Sequence, residues 1–249
     1  MMLIKNVHGN TVDYLGSAIV AGRFGATGLM PPEPLLCEEL GVSRTVVRES
    51  VKSLVAKGLI QTGPKVGTRV CPSSQWNWFD AEVIGWQAKA GLTEDFIRDI
   101  QDLRLIVEPA ATRLAADRAT DDDIAAIEAA YAGMVHAVEN DGDYVRFDLR
   151  FHQGMIRASH NRMLEKMEQA LGALLRTSFE ISTVKKDGPR NSLPMHRAVL
   201  DAVIAHDADL AEDAILLLID DAHKDMAHVL RSRRRMPTTG GTARSRQPA

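Results

Sequence analysis

The chain has 249 residues, 45% of them hydrophobic, which is enough for two globular domains and too apolar for a disordered chain. It contains no charged-then-apolar leader and no apolar run of about 18 residues, which excludes export and a membrane span and predicts a cytoplasmic protein. The formal net charge of −3 hides a division: residues 1–75 hold eight Lys/Arg against five Asp/Glu, the last nineteen hold six arginines and no acid, and residues 76–230 are left at −12. A basic head on an acidic body draws the head alone toward phosphate.

The first informative segment is 35–60, LLCEELGVSRTVVRESVKSLVAKGLI, which predicts a helix, a tight turn and a second helix. Val47, Val51, Leu54 and Val55 recur at i, i+4, i+7 and i+8 and predict one buried stripe on the second helix. Ser43 stands at its N-cap, where a hydroxyl takes up an orphan amide. Arg44, Thr45 and Arg48 fall in the first turns, off the stripe, where a recognition helix meets base edges. The arginine fork matches guanine O6 and N7 bidentately. Two arginines on a lone helix are ordinarily its solvated face, but a hairpin directly after this helix changes that. Gly58 ends the helix as a C′ residue, residues 59–62 form a short strand, residues 63–67 a turn, and residues 68–71 return. Lys65 and Gly67 at the tip, with Arg69 on the return strand, suit phosphate or minor-groove contact. The fold class expected for residues 8–72 is therefore a winged helix-turn-helix. Cys37 and Cys71 have no CxxC spacing, so buried thiols are expected, without a zinc finger or disulfide framework.

Residues 73–80 read as a linker. All three tryptophans, Trp76, Trp78 and Trp86, fall in one window with Phe79. Base stacking would need basic neighbours, and Asp80 and Glu82 are present instead, so these aromatics are expected to anchor a domain junction. From 81 to 230 the pattern is helical throughout. Thr93 caps a helix to Asp117, and Thr120 caps another to Glu139 behind three aspartates. Helices over 143–159, 161–182, 193–206 and 208–230 complete six or seven in an antiparallel all-α bundle. The basic tail, 231–249, lacks apolar residues to bury and is expected to be disordered.

Asp148 and His152 are one helical turn apart and leave the same face, as a metal-binding pair requires. Alone the pair is a weak signal, and on spacing a histidine bonded to a backbone carbonyl is the ordinary reading. His196 lies on a later helix. Arg104, in the middle of the long helix, is on the same grounds a surface or ion-paired residue.

The order of these parts resembles the GntR superfamily of bacterial transcription regulators, in the FadR-type branch with an all-helical FCD domain. The resemblance runs from about Val12 to Leu230. It is carried by residues 18–22 (AIVAG), 29–31 (LMP), 42–49 (VSRTVVRE), 103–109 (LRLIVEP), Asp148-x-x-x-His152 and 196–203 (HRAVLDAV). It implies that Arg44, Thr45 and Arg48 contact DNA, while Pro34 stands where many members carry an arginine, which implies a missing contact and a different operator. It implies a divalent metal held by Asp148, His152 and His196, reversing the ordinary reading of the histidines. The usual last histidine falls at position 218, which is Leu here; His223 is about 140° round the helix from it, a poor substitute. Three protein ligands remain, and oxygen with imidazole does not choose among zinc, nickel and manganese. The resemblance also places Arg104 in a ligand cavity against an effector carboxylate, for which its fork is apt. Asn191 and Ser192, expected just before the His196 helix, would hydrogen-bond the ligand's hydroxyls. The stretch 76–80 (WNWFD) is similar to the branch of the family that regulates galactonate use, which implies a sugar acid.

The expected function is a homodimeric, sequence-specific repressor that binds a double-stranded DNA operator and is released by a small carboxylate, and not an enzyme. Three alternatives stay open: a regulator of a non-sugar carboxylate, a metal-dependent hydrolase with an appended DNA domain, and an architectural DNA-binding protein whose body only dimerises. No general base accompanies the triad, and an open metal position serves binding as well as catalysis.

Overall fold

The N-terminal head is built from local signals that need no distant partner. The computed structural model describes residues 6–64, 67–91, 93–183 and 187–235. Helix α1 spans Val7–Val20, α2 Glu33–Leu40 and α3 Arg44–Ala56. Ser43 accepts a hydrogen bond from Val46 N–H at 3.4 Å and starts α3; Gly58, with φ of 73°, turns the chain out of it. Strands β1 (Ile60–Gly63) and β2 (Gly67–Val70) pair antiparallel, Ile60 against Val70 and Gly63 against Gly67. Residues 28–30 lie beside β2: Met30 N–H donates to Thr68 O and Val70 N–H to Gly28 O. This is a winged helix-turn-helix with a small sheet. Its core joins Val12, Leu15, Ile19, Met30, Leu36, Val47, Val51, Leu54, Leu59 and Ile60.

The stripe on α3 differs at one position from the one expected. Val55 is 41% exposed, and Ser50 is buried in its place. Val55 lies about 80° round the helix from Val47, on the flank of the face centred between Val47 and Leu54. Cys71 is buried as expected, whereas Cys37 is only partly covered.

The tryptophans do lie at the junction. A 3-10 turn at Ser73–Gln75 leads to α4 (Ala81–Ala90). Trp86 sits 1% exposed against α1, its Nε1–H donating to Asp13 Oδ1 at 2.7 Å. A Cβ on Gly16 would collide with its ring, so only glycine admits that approach. Trp76 and Trp78 pack with ring centres 5.6 Å apart and planes tilted by 37°, and Trp78 reaches Phe96 of the body at 5.8 Å. Lys57, at the end of α3, pairs with Asp80 at 2.5 Å and Glu82 at 3.0 Å. Phe79 stays exposed. Helix α4 thus touches head and body together, packing on α1 and on α8 (Arg162–Ser182).

The body continues with α5 (Glu94–Arg118), α6 (Asp121–Glu139), α7 (Tyr144–Ala158), α8, α9 (Gly188–Ile204) and α10 (Ala208–Arg235). Thr93 caps α5, and Thr120 and Asp123 close a capping box on α6. The antiparallel pairs α5–α10, α6–α7 and α9–α10 enclose a core of Ile127, Met134, Phe151, Met155, Val199, Leu200, Ile215 and Ile219. Two helix ends differ from those expected. Helix α9 begins at Gly188, five residues early, because Pro189 occupies a first-turn position where its missing N–H costs nothing, so Asn191 and Ser192 are inside the helix. Helix α10 runs to Arg235 where a disordered tail was expected from 231, since a polar arginine run still has good helix propensity. The rest of the expected tail lies outside the described residues. Among the described residues no helix is long and apolar enough to cross a membrane.

Candidate functional site

The first turns of α3 present one polar face to solvent. Ser43, Arg44, Thr45 and Arg48 are all exposed. Arg48 Nε–H donates to Glu33 Oε2 at 2.8 Å, but the arginine side chain is 62% exposed, so that pair exchanges readily for another anion. Gly67 is exposed beside the turn at the tip of the wing with φ of 69°. Lys65 lies outside the described residues. Arg69 is committed elsewhere, donating to Thr27 O at 2.9 Å.

The second cluster is buried where five helices, α5 and α7 to α10, converge. Asp148 and His152 project from α7 and His196 from α9, and one ligand atom from each lies within 4.8 Å of the others. All three are 95% or more buried. His196 Nε2 is 3.0 Å from Asp148 Oδ1, and its Nδ1–H donates to the Ser192 carbonyl at 2.9 Å. His152 Nε2 is 3.3 Å from the same Asp148 oxygen, while its Nδ1 meets Glu108 Oε2 at 2.5 Å. Each ring is therefore held by its outer nitrogen, by a carbonyl in one case and a carboxylate in the other. The two inner nitrogens face Asp148. Outer partners of this kind fix tautomer and ring orientation in histidines that bind metal. The donor set fits a divalent ion.

Glu108 is a member of this site that the sequence reading does not single out. It lies four residues beyond Arg104, a spacing that puts opposite charges on one helix face, and that is the signal the sequence offers. Arg104 is 3% exposed. Its Nε–H donates to Glu108 Oε1 at 2.6 Å, its Nη1–H to Ser178 Oγ at 2.9 Å, and it lies 5.1 Å from the centre of the Phe179 ring. Arg104 thus lines the cavity while already paired. Ser192 also lines it: Tyr144 donates to Ser192 Oγ at 2.7 Å, and Ser192 donates to Pro189 O. Asn191 is exposed and lies outside the lining, because α9 turns it away from Ser192. From α10 come Leu218, Asp221, Ala222 and Asp225. His223 is exposed, on the far face. The pocket is partly open to solvent and its space is about 30 Å³, room for one or two waters.

Electrostatics divide the cluster. Burial would raise the Glu108 carboxyl, but Arg104 and His152 outweigh it and hold it at about 2. Burial likewise opposes ionisation of Asp148, and hydrogen bonds from both histidines pull it well below the usual carboxylate range. Burial would lower His152; Glu108 and Asp148 reverse this and raise it to about 9. Burial and the neighbouring Asp148 push Tyr144 up, so its hydroxyl stays protonated.

The signs give an expected pH profile for the metal-free protein. His152 is raised, so its contribution is whole below about pH 6.5 and is lost as pH rises through about 9. Glu108 and Asp148 are lowered, so theirs is present above about pH 4 and is lost as pH falls toward 2. With chelator present, the thermal midpoint should be highest near pH 5–6.5 and decline toward pH 9, as read by differential scanning fluorimetry. His152→Gln should remove the alkaline decline; an unchanged decline in that variant would exclude His152 as its source.

Comparison with known proteins places both clusters in context. The model of bacterial regulatory proteins of the gntR family matches residues 9–70, and that of the FCD domain matches residues 99–221. The chain is 33% identical over 216 residues to the galactonate operon transcriptional repressor of Escherichia coli K12, covering 86% of this chain and 94% of that one. It is 29% identical over 202 residues to the transcriptional repressor NanR of E. coli K12, covering 78% and 74%. The solved structure of Lar, which controls expression of the Listeria monocytogenes agr system, superposes with a TM-score of 0.65 at 15% identity, over 90% of this chain and 98% of that one; that likeness concerns the fold alone.

Proposed function

We infer the task of this chain from the premise that it belongs to the gntR family of bacterial regulatory proteins and carries an FCD domain. It is a DNA-binding transcriptional regulator. We propose that it represses genes for breakdown of a sugar acid and leaves its operator when that acid binds the helical body. The observation that carries this reading is the buried Asp148–His152–His196 cluster with both outer histidine nitrogens engaged. The relative named for the galactonate operon supplies the substrate class.

In this reading Arg44 and Arg48 meet bases, Thr45 and the capped start of α3 meet the backbone, and Lys65 and Gly67 bring the wing to phosphate. Two copies, joined through their helical bodies, bind the two halves of a palindromic operator. Asp148, His152 and His196 would hold zinc, nickel or manganese, and such an ion supplies a point of attachment for a carboxylate oxygen. Glu108 and the Ser192 carbonyl keep the rings aimed at it. Arg104 offers its unused N–H groups to the same carboxylate while Glu108 and Ser178 fix its position.

Cavity size supplies the switch. A sugar acid is several times larger than the 30 Å³ pocket, so in this reading it binds only an arrangement in which the pocket has widened. A ligand that prefers one arrangement shifts the population toward it. Helix α4, packed on both α1 and α8, carries the change to the head.

Two measurements on labelled upstream DNA at fixed salt test the reading. Arg44→Ala and Arg48→Ala should each weaken operator binding about 5- to 150-fold, the worth of one bidentate base contact, while keeping the wild-type melting temperature. Galactonate should release the metal-loaded wild-type protein. Undiminished affinity in both arginine variants would remove the assigned DNA face, and failure of any hexonate to release the wild type would remove the proposed effector.

A further inference from the structure

The junction between head and body holds a second cavity, which shares no lining residue with the metal cavity. It is a groove of about 660 Å³, partly open to solvent, a size that suits a small organic ligand. Trp76, Trp78 and Phe79 line it from the stretch that leaves the wing, and Asp95, Phe96 and Asp99 line it from the first turns of α5. Both indole N–H groups are already used within the chain, Trp76 Nε1–H on Cys71 O at 2.9 Å and Trp78 Nε1–H on Ser73 O at 3.0 Å. What these rings offer a ligand is therefore carbon surface, and the faces of aromatic rings carry negative charge. Phe79 is 55% exposed, although the other three rings of the groove are half-buried.

We propose that this groove is a second ligand site, independent of the metal, and that it binds a lipophilic organic cation whose charge sits on a quaternary or delocalised centre with apolar arms. The lining chooses the sign of the charge, since it includes two carboxylates and no lysine, arginine or histidine. Asp95 is engaged by Arg98 at 2.7 Å, and Arg98 lies outside the lining. Asp99 is exposed and has no ion-pair partner among the described residues, so it is the acceptor left to a ligand. The start of α5 would by itself favour an anion, but Glu94 and Asp95 occupy that first turn and offset it. The rings choose the kind of cation. A positive charge over an aromatic face is attracted by the ring quadrupole, whereas a small, strongly hydrated cation would give up its water against carbon surface. A quaternary or delocalised charge keeps the attraction and loses little water. An anion would meet Asp99 and the negative ring faces together, and a neutral compound would gain carbon surface alone. Because the lining comes both from the stretch before α4 and from α5 after it, an occupant touches the exit from the head and the body at once.

Tetraphenylphosphonium and tetraphenylborate, alike in shape and opposite in charge, test this by calorimetry and tryptophan fluorescence on the full-length protein without DNA. The phosphonium should bind at a single site and change the tryptophan emission, because two of the three tryptophans line the groove. It should bind roughly 10-fold tighter than the borate or better, since the charge pair and the ring attraction both reverse with the sign of the ligand. Asp99→Asn and Phe79→Ala should each weaken the phosphonium about 2- to 5-fold, the worth of one exposed charge pair or one exposed cation–π contact. Both side chains are exposed, so neither variant tests the fold instead of the site. His152→Ala, which disrupts the metal cluster, should leave the phosphonium affinity at its wild-type value. Equal affinity for the two ions overturns the proposal, since an apolar groove alone would give that result. So does the absence of saturable phosphonium binding, as when a second copy of the chain covers the groove. Wild-type phosphonium affinity in both Asp99→Asn and Phe79→Ala also overturns it, by placing the ion elsewhere. The sugar-acid reading stands or falls separately, on galactonate at the metal.

Discussion

Arg104→Ala is expected to destabilise the helical body by about 3 kcal/mol, the low end of the cost of breaking a buried ion pair, because the carboxylate left behind keeps one other partner. That carboxylate is Glu108, which would keep His152 at 2.5 Å but lose the guanidinium at 2.6 Å. Ser178 would lose a donor at the same time. Urea unfolding of the metal-free protein measures the loss, and a midpoint equal to wild type would refute the account. The family resemblance implies that Arg104 is a free anion partner for the effector, and on that view its removal would spare the fold. Its place in a buried pair makes it a poor single probe of effector contact, because lost affinity and lost stability would arrive together.

His152→Ala should abolish metal binding at micromolar concentration. Loss of an outer partner alone costs about 10–100-fold in metal affinity, and removing one of three protein ligands costs more. The variant should still bind the operator, since α3 is far from the cluster in sequence and packs in the head core. It should no longer be released by galactonate. Competition against a chromophoric chelator reads the first effect and fluorescence anisotropy of labelled operator the second. Wild-type zinc affinity in this variant would show that the ion sits elsewhere. Glu108→Gln should weaken the metal without removing it, which separates a ligand from a residue that positions one.

How much of the molecule is legible in its sequence depends on the range over which each signal acts. Ser43, Gly58, Thr93 and Thr120 act within three or four residues of their own backbone, and the structure has each where the sequence puts it. Asp148 and His152 share a face by spacing alone, and the structure brings His196 beside them. The stripe expected on α3 is one position too wide because Ser50, though polar, lies nearer the centre of the buried face than Val55. Asn191 departs from its expected place because the proline-rich segment looks like a connection, whereas Pro189 opens α9 and the helix turns Asn191 outward. Ser178 meets Arg104, and Asp225 reaches the cavity, only through the packing of α8 and α10, 74 and 121 positions from Arg104, and no periodicity announces such meetings.

The seating of Trp86 against Gly16 has a consequence for how such proteins can be rebuilt. A reading head is tempting to treat as an interchangeable cassette, cut at the turn near Ser73 and grafted onto another body. Here the fit lies on both sides of that cut: Gly16 and Asp13 belong to the head and Trp86 to α4 beyond it, and Lys57 likewise faces Asp80 and Glu82. A donor head with any side chain at position 16 would strike the indole, and one lacking the lysine would take the ammonium away from Asp80 and Glu82. A chimera cut after Ala90 keeps α4 with its head, but the recipient body must then match the face of α4, centred on Ile84, that packs against α5 and α8.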